Sequence, residues 1–203
     1  MTTTLTDDEL ARIKREVLDN VLDFGAVPYI TVLSVYNIIR DHVVSSSVAP
    51  TTSSTAVTST GAAVLTLASI TDYSAGQRIV LDADDARETV TIRAVVGSTV
   101  SVVCRYQHAG TYPVEVESPL TIVRGLLSDL VTMEQAQRRA VQSLGLKRVD
   151  EVEWFGASGE KTIGAELSAR RMSLRMELAE ACGIGYIVRT QLAKRAGLSI
   201  EVY

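Results

Sequence analysis

Histidine and cysteine, on which much catalysis and metal binding depends, are scarce in this sequence. Two histidines, His42 and His108, and two cysteines, Cys104 and Cys182, occur in 203 residues. The cysteines form no CxxC pair, and neither histidine has a partner at the spacing of a metal-binding motif. The sequence therefore predicts no metal site, no cofactor and no disulfide, and it favours both cysteines as small buried side chains.

Long hydrophobic runs are also missing. The longest apolar-rich run, residues 27–39, is interrupted by polar side chains and is shorter than the roughly 18 to 20 residues that cross a bilayer. The opening MTTTLTDDEL has neither the basic nor the apolar region of a secretory signal. We expect a soluble protein that is made in the cytoplasm and does not contact a membrane.

An excess of basic charge is the third absence. The 20 basic and 24 acidic residues give a formal net charge of −4, which argues against a strong, sequence-independent grip on nucleic acid. The apolar content of 46% predicts instead that the chain buries a substantial core.

What the chain does contain is a change of hydrophobic period along its length. Residues 1–44 repeat at about 3.6 and predict two helices, the first over 6–23 and opened by a Thr-x-x-Glu capping box. Residues 61–118 alternate in short runs rich in Val, Ile and Thr, and predict four or five strands. Residues 119–203 return to the helical period and predict three helices.

Residues 45–60 read SSSVAPTTSSTAVTST and separate the first helices from the strands. Eleven of the sixteen are Ser or Thr and none is charged, which is typical of a linker. The predicted fold class is therefore α+β. A helical bundle domain forms from the two ends of the chain, and a small antiparallel β barrel or sandwich is inserted into it.

The stretch Trp154–Leu167, WFGASGEKTIGAEL, has the composition of a phosphate-binding loop. A P-loop needs four residues between its first glycine and an adjacent Gly-Lys-Ser/Thr, so that successive N–H groups wrap the phosphates. Here Glu160 separates Gly159 from Lys161 and would place a carboxylate against the polyanion. The stretch predicts a glycine turn before a helix rather than a nucleotide site.

Nucleophilic catalysis needs an imidazole beside a nucleophile, and no nucleophile motif lies near either histidine. His42 is predicted at the end of a helix and His108 in a glycine-containing turn, each structural or solvated. The acidic cluster Asp82, Asp84 and Asp85 lacks the spacing of a calcium loop and predicts a solvated turn. The sequence predicts that the protein is not an enzyme.

Basic and aromatic residues near the C-terminus indicate surfaces. A row of arginines lies at helical spacing, and it can face solvent, meet an acidic neighbour or face nucleic acid in an assembly. An exposed Trp-Phe tip is typical of an assembly contact, although a core tryptophan is the alternative. The candidate interface residues are Trp154, Phe155, Arg170, Arg171, Arg175, Arg189, Lys194, Arg195 and Tyr203.

The segment from Gly61 to Val116 resembles a β module of tailed-phage structural proteins. It contains GAAVLTLAS, AGQRIVLD, ETVTIRAVVGSTVSV and HAGTYPV, which resemble that module's glycine-led strand, Ala-Gly turn, Glu-Thr-Val strand and closing His-to-Val segment. Gln77 stands where the module usually has an acidic residue. With helices on both sides, the chain resembles the head-to-tail connector, or adaptor, proteins of long-tailed bacteriophages and gene-transfer particles.

This resemblance implies a structural protein of the virion neck. Such proteins form a homo-oligomeric ring, typically dodecameric, between the portal protein and the stopper or tail-tube terminator, and genomic DNA passes through it without specific contacts. The terminal LSIEVY could add a strand to a neighbour's sheet. The alternatives are another tail or capsid-surface protein with the same module, and an accessory module that binds carbohydrate or protein.

Overall fold

A computed structural model describes residues 4–19, 29–82, 86–144 and 163–189. The chain divides into two compact units. Met1–Val43 and Val123–Tyr203 form the first, which we call the helical unit, and Val44–Ile122 form the second, the β unit. Helices and antiparallel sheets together make the protein α+β, as the sequence predicts. Among the described helices, none is both long and apolar enough to cross a membrane.

Helices α1 and α2 precede the β unit, and α3 and α4 follow it. The helix α3 begins in the last residues of the β unit, and residues 185–189 are helical as well. The bounds are α1 Asp7–Ile13, α2 Tyr29–His42, α3 Pro119–Leu144 and α4 Ile163–Ala181, with a π-helical turn at Lys14–Leu18.

The capping box that the sequence predicts for α1 is present. The Thr6 N–H donates to Glu9 Oε2 at 2.8 Å, and the Glu9 N–H donates to Thr6 Oγ1 at 3.2 Å. Two of the N–H groups that a helix start leaves without partners are thereby satisfied. The predicted single helix over 6–23 is wrong in one respect, because the α-helix passes into the π-helical turn at Lys14.

The apolar stripes predicted from helical spacing face the core of the helical unit. Tyr36, Gln137 and Leu167 also belong to the predicted stripes and are only partly buried. Eight other members are buried on α2, α3 and α4, which supports the predicted inward faces. These residues are Val35, Ile39 and Val43, then Val123, Leu127 and Leu130, then Leu174 and Leu178.

Seven strands lie among the described residues of the β unit, and all of their pairings are antiparallel. One sheet has four strands in the order β1-β7-β3-β4, and the other has three in the order β2-β6-β5. The bounds are β1 Thr51–Ser53, β2 Gly61–Thr66, β3 Arg78–Leu81, β4 Glu88–Thr91, β5 Ala94–Val96, β6 Thr99–Cys104 and β7 Tyr112–Val116.

Apolar side chains from both sheets form one core in the β unit. Leu65 and Val100 come from the three-stranded sheet, and Ile79, Tyr112 and Val114 come from the four-stranded one. In the described part of the chain the strand pairings do not close into a ring, so no closed barrel is formed.

The prediction that residues 45–60 form a linker is wrong. Thr51–Ser53 forms β1 and pairs with β7, so the segment belongs to the β unit. Two of its hydroxyl groups accept hydrogen bonds from the backbone of a later segment: Thr51 Oγ1 accepts from the Ser69 N–H at 2.9 Å, and Thr55 Oγ1 accepts from the Thr66 N–H at 2.8 Å. Threonine has a high strand propensity, but the Ser and Thr composition alone does not show that the segment pairs with another strand.

Candidate assembly surface

The outward side of the three-stranded sheet carries no charged side chain. Because successive residues of a strand point to opposite sides, Leu65 and Val100 face the core while their neighbours face outward. None of the residues of β2, β5 and β6 is charged. We call the outward set the neutral face: Ala62, Val64, Thr66, Ala94, Val96, Thr99, Ser101 and Val103.

Three valines of the neutral face are exposed to solvent. Val96 is 72% exposed, Val64 57% and Val103 37%. Val64 lies opposite Ser101, and Val96 lies opposite Thr99, so small and hydroxyl side chains fill the space between the valines. Apolar side chains grouped on an uncharged surface make this face a candidate interaction site.

The four-stranded sheet differs on its outward side. Arg78 there pairs with Glu117 at 3.1 Å, and Thr91 lies opposite Arg78. Charged side chains of both signs are usual on the outward side of an antiparallel sheet that faces water. The contrast between two sheets of one unit makes the neutral face a specific feature rather than a general property of this chain.

The neutral face also ends in strands with an open side. In the part of the chain that the structure describes, β2 and β5 each pair with β6 alone. Thr55 partly covers β2 by accepting from its last N–H, but β5 has no such cover from a neighbouring strand. Edge strands of this type readily pair with another chain.

Of the arginines predicted at an interface, Arg171 and Arg175 meet an acidic group within the same chain. Arg171 Nη2 lies 3.2 and 3.1 Å from the two carboxylate oxygens of Glu16, and Arg175 Nε and Nη2 lie 3.2 and 3.1 Å from Oε2. Glu16 belongs to the π-helical turn and is 1% exposed. Burial alone would raise the pKa of Glu16, but the two guanidinium groups outweigh it and the pKa is lowered.

Arg170 and Arg189 lie at the surface. Arg170 pairs with Glu177 at 3.6 Å and Arg189 pairs with Glu180, all four side chains being substantially exposed. Exposed pairs of this kind contribute little to stability and remain accessible to a partner. The other predicted interface residues lie outside the described part of the chain: Trp154, Phe155, Lys194, Arg195 and Tyr203.

His108 was predicted to be structural or solvated, and it is structural. The predicted solvated turn is wrong for Asp82, whose carboxylate contacts the buried imidazole, while Asp84 and Asp85 lie outside the described residues. His108 is 1% exposed, its Nδ1 lies 2.9 Å from Asp82 Oδ2, and its Nε2 lies 2.8 Å from Glu88 Oε1. His108 also exchanges two backbone hydrogen bonds with Val57. The turn is therefore anchored from three directions, each through residues distant in sequence. Cys104 and Cys182 are free and buried, as predicted.

Sequence reasoning missed the neutral face, although a signal existed. The runs GAAVLT and TVSVVC contain no charge at their outward positions, where a solvated strand normally alternates apolar with charged residues.

No protein-family model, no curated protein and no solved structure matches this chain.

Proposed function

We propose that the protein is a structural subunit of a phage-type virion neck, a head-to-tail adaptor that assembles into a homo-oligomeric ring. The neutral face is the observation that carries this proposal. Valines grouped on an uncharged sheet favour association, because an assembly subunit buries them against its neighbour.

A second copy of the chain is the occupant that the charge pattern favours. An uncharged face offers no attraction to phosphate groups or to an acidic or basic partner, since those contacts require opposite charge. It can meet an uncharged surface of another subunit without like-charge repulsion. A strand of the neighbouring subunit can align along the open side of β5, which would orient the contact between the two copies.

Area limits what the neutral face can do alone. The sheet has six residues in β2, six in β6 and three in β5. With strands about 4.8 Å apart and a rise of about 3.3 Å per residue, its footprint is roughly 240 Å². A stable interface buries about 800 Å² on each partner. The face therefore supplies roughly a third of a subunit contact, and the helical unit supplies the remainder in the proposed ring.

In this proposal the helical unit is a bundle with the β unit inserted as a sandwich, as in the adaptor resemblance. The ring, a dodecamer by that resemblance, lies between the portal protein and the stopper or tail-tube terminator of the virion. Its subunits are made in the host cytoplasm, and genomic DNA passes through its channel without specific contacts. The exposed Arg170 and Arg189 are available to the portal or to DNA.

The experiment is native mass spectrometry with negative-stain imaging of the purified chain, alone and mixed with a phage portal protein. Rings of uniform stoichiometry, alone or on mixing, are the expected result. A chain that remains monomeric in both samples contradicts the adaptor role. A monomer that instead decorates isolated capsids or tails supports the second candidate, a tail or capsid-surface protein, whose basis is that the β unit is compact by itself.

A further inference from the structure

Three side chains that can bind a metal ion come together inside the β unit. Glu88 begins β4, Cys104 ends β6, and His108 lies in the turn that follows. One ligand atom from each lies within 4.8 Å of the other two, and the three residues are 7%, 1% and 1% exposed. Nothing in their sequence spacing predicts this group, because the pairing of strands creates it.

The imidazole is held in the orientation that a metal ligand needs. Asp82 Oδ2 accepts from His108 Nδ1 at 2.9 Å, which directs Nε2 toward Glu88 and Cys104. The Tyr112 ring lies 5.1 Å from the imidazole, and the backbone bonds to Val57 fix the turn. A carboxylate on the far nitrogen of a ligating histidine is the usual arrangement in zinc sites.

The carboxylate of Glu88 is fixed as well. Its Oε2 accepts from the Arg105 N–H at 2.8 Å, and its Oε1 accepts from the Tyr106 N–H at 3.3 Å. Both bonds come from the segment between Cys104 and His108, so the backbone that carries two of the ligands also positions the third. Preorganised ligands of this kind lose little conformational entropy on binding.

We propose that Glu88, Cys104 and His108 bind one divalent cation of the zinc class. A thiolate with an imidazole and a carboxylate is a ligand set that suits Zn²⁺ and not Mg²⁺ or Ca²⁺. Metal–ligand lengths of about 2.0 to 2.3 Å place tetrahedral ligand atoms roughly 3.3 to 3.6 Å apart. The Glu88–His108 contact must therefore open from 2.8 Å by about half an ångström, and a water molecule completes the fourth position.

Binding exchanges protons for the cation. A cysteine binds a cation as the thiolate, so the Cys104 thiol must lose its proton on binding. The cation takes the sulfur as thiolate and also displaces the proton between Nε2 and Glu88. Affinity therefore rises with pH, and protons appear in solution as the metal binds.

A metal-free hydrogen-bond network is the competing explanation, since the polar atoms of this group satisfy one another. The two explanations differ in the protonation state that they require of the Cys104 sulfur. A network that serves only to anchor the turn has no use for a thiolate, whereas a metal site depends on it. The proposal is independent of ring assembly, and it departs from the expectation that the sequence holds no metal site.

The test titrates the chelator-treated full chain with Co²⁺ and then with Zn²⁺. We expect one Co²⁺ per chain, a near-ultraviolet thiolate-to-cobalt absorption band, loss of that band when Zn²⁺ is added, and proton release in weakly buffered solution. At a Zn²⁺ concentration 100 times the dissociation constant, the Tm of the β unit rises by at least about 5 °C.

Cys104→Ser removes the band, while Cys182→Ser, which alters the other buried cysteine in the helical unit, retains it. An unaltered band in folded Cys104→Ser overturns the proposal. Wild-type protein that shows neither the band nor proton release at micromolar Co²⁺ overturns it as well, whatever the folding of the variants.

Discussion

Replacing Glu16 with Gln tests whether the buried carboxylate holds the helical unit together. Glu16 lies in the π-helical turn, and α4 packs against that turn. Four contacts of 3.1 to 3.2 Å join its oxygens to Arg171 and Arg175. Glutamine keeps the volume but removes the negative charge, and its amide group adds a donor beside two guanidinium groups that only donate.

The magnitude follows from the burial of each partner. Removing one partner of a buried ion pair costs about 3–5 kcal/mol, because the other charge is left without compensation. Arg171 and Arg175 are 25% and 17% exposed, so water recovers part of that cost. We expect Glu16→Gln to lower the free energy of unfolding of the helical unit by about 2–4 kcal/mol at pH 7.

The effect depends on pH with a defined sign. Because the pKa of Glu16 is lowered in the folded protein, its contribution is fully present above the ordinary value of 4.5. It is lost as the pH falls through the lower, folded pKa. Urea unfolding followed by circular dichroism should show the difference between wild type and Glu16→Gln narrowing below pH 4.5.

Glu177→Gln is the matched control, since it removes a carboxylate from the exposed pair with Arg170 in α4. That change should alter stability by less than about 0.5 kcal/mol. A Glu16→Gln loss no larger than that of the control at neutral pH refutes the reasoning, as does a difference that stays constant into acid.

Three further changes probe other parts of the fold. Gly183→Ala should destabilise the helical unit by about 2 kcal/mol or more, because φ is +74° and the added Cβ would lie 2.8 Å from a ring carbon of His42. Gly97→Ala, at φ +58° in open space, should cost only about 1 kcal/mol. Equal losses of stability in urea titrations would contradict this difference. Tyr73→Phe removes a hydroxyl whose single hydrogen can be donated to the Val114 carbonyl at 3.1 Å or to the Ala49 carbonyl at 3.2 Å. The change should cost about 1 kcal/mol by the same assay, and an unchanged stability would refute the role of this hydroxyl. Burial raises the pKa of the Cys182 thiol to about 12, so iodoacetamide at pH 8 should label this residue only under unfolding conditions. Peptide mass spectrometry measures the labelling, and rapid labelling of the native protein would count against the burial of Cys182.

Local signals in the sequence were sufficient for the positions of α2, α3 and α4, and they predicted four or five strands in residues 61–118, where the described part of the chain has six. The capping box at Thr6 has the predicted geometry because both of its partners lie within one turn. The stripes ending at Val43 and Leu178 are buried because a single period determines which side of a helix faces inward.

Features that depend on distant partners were missed. Thr51 and Ser53 are in a segment with the composition of a linker, and only their pairing with β7 makes them a strand. His108 meets Asp82 and Glu88 from positions 26 and 20 residues away. No periodicity of the sequence encodes such contacts, because they arise when strands far apart in the chain become neighbours.

The arginine row on α4 was predicted correctly in its spacing, but its partner was not identified from the sequence. Its helical spacing predicted a shared side of α4, and one possible partner was an acidic neighbour. Arg171 and Arg175 do meet a carboxylate, but it is Glu16 of the same chain. Their participation in an interface between chains stays a prediction.

The neutral face is tested most directly by the native mass of three variants, alone and mixed with the portal protein. Val64→Glu and Val96→Glu place a charge on that face at positions 57% and 72% exposed, so the fold should survive. Thr91→Glu places the same charge on the other sheet, opposite Arg78. We expect the two valine variants to remain monomers and Thr91→Glu to form rings as the wild type does. Folded valine variants that assemble as well as wild type would show that copies of this chain do not meet through the neutral face.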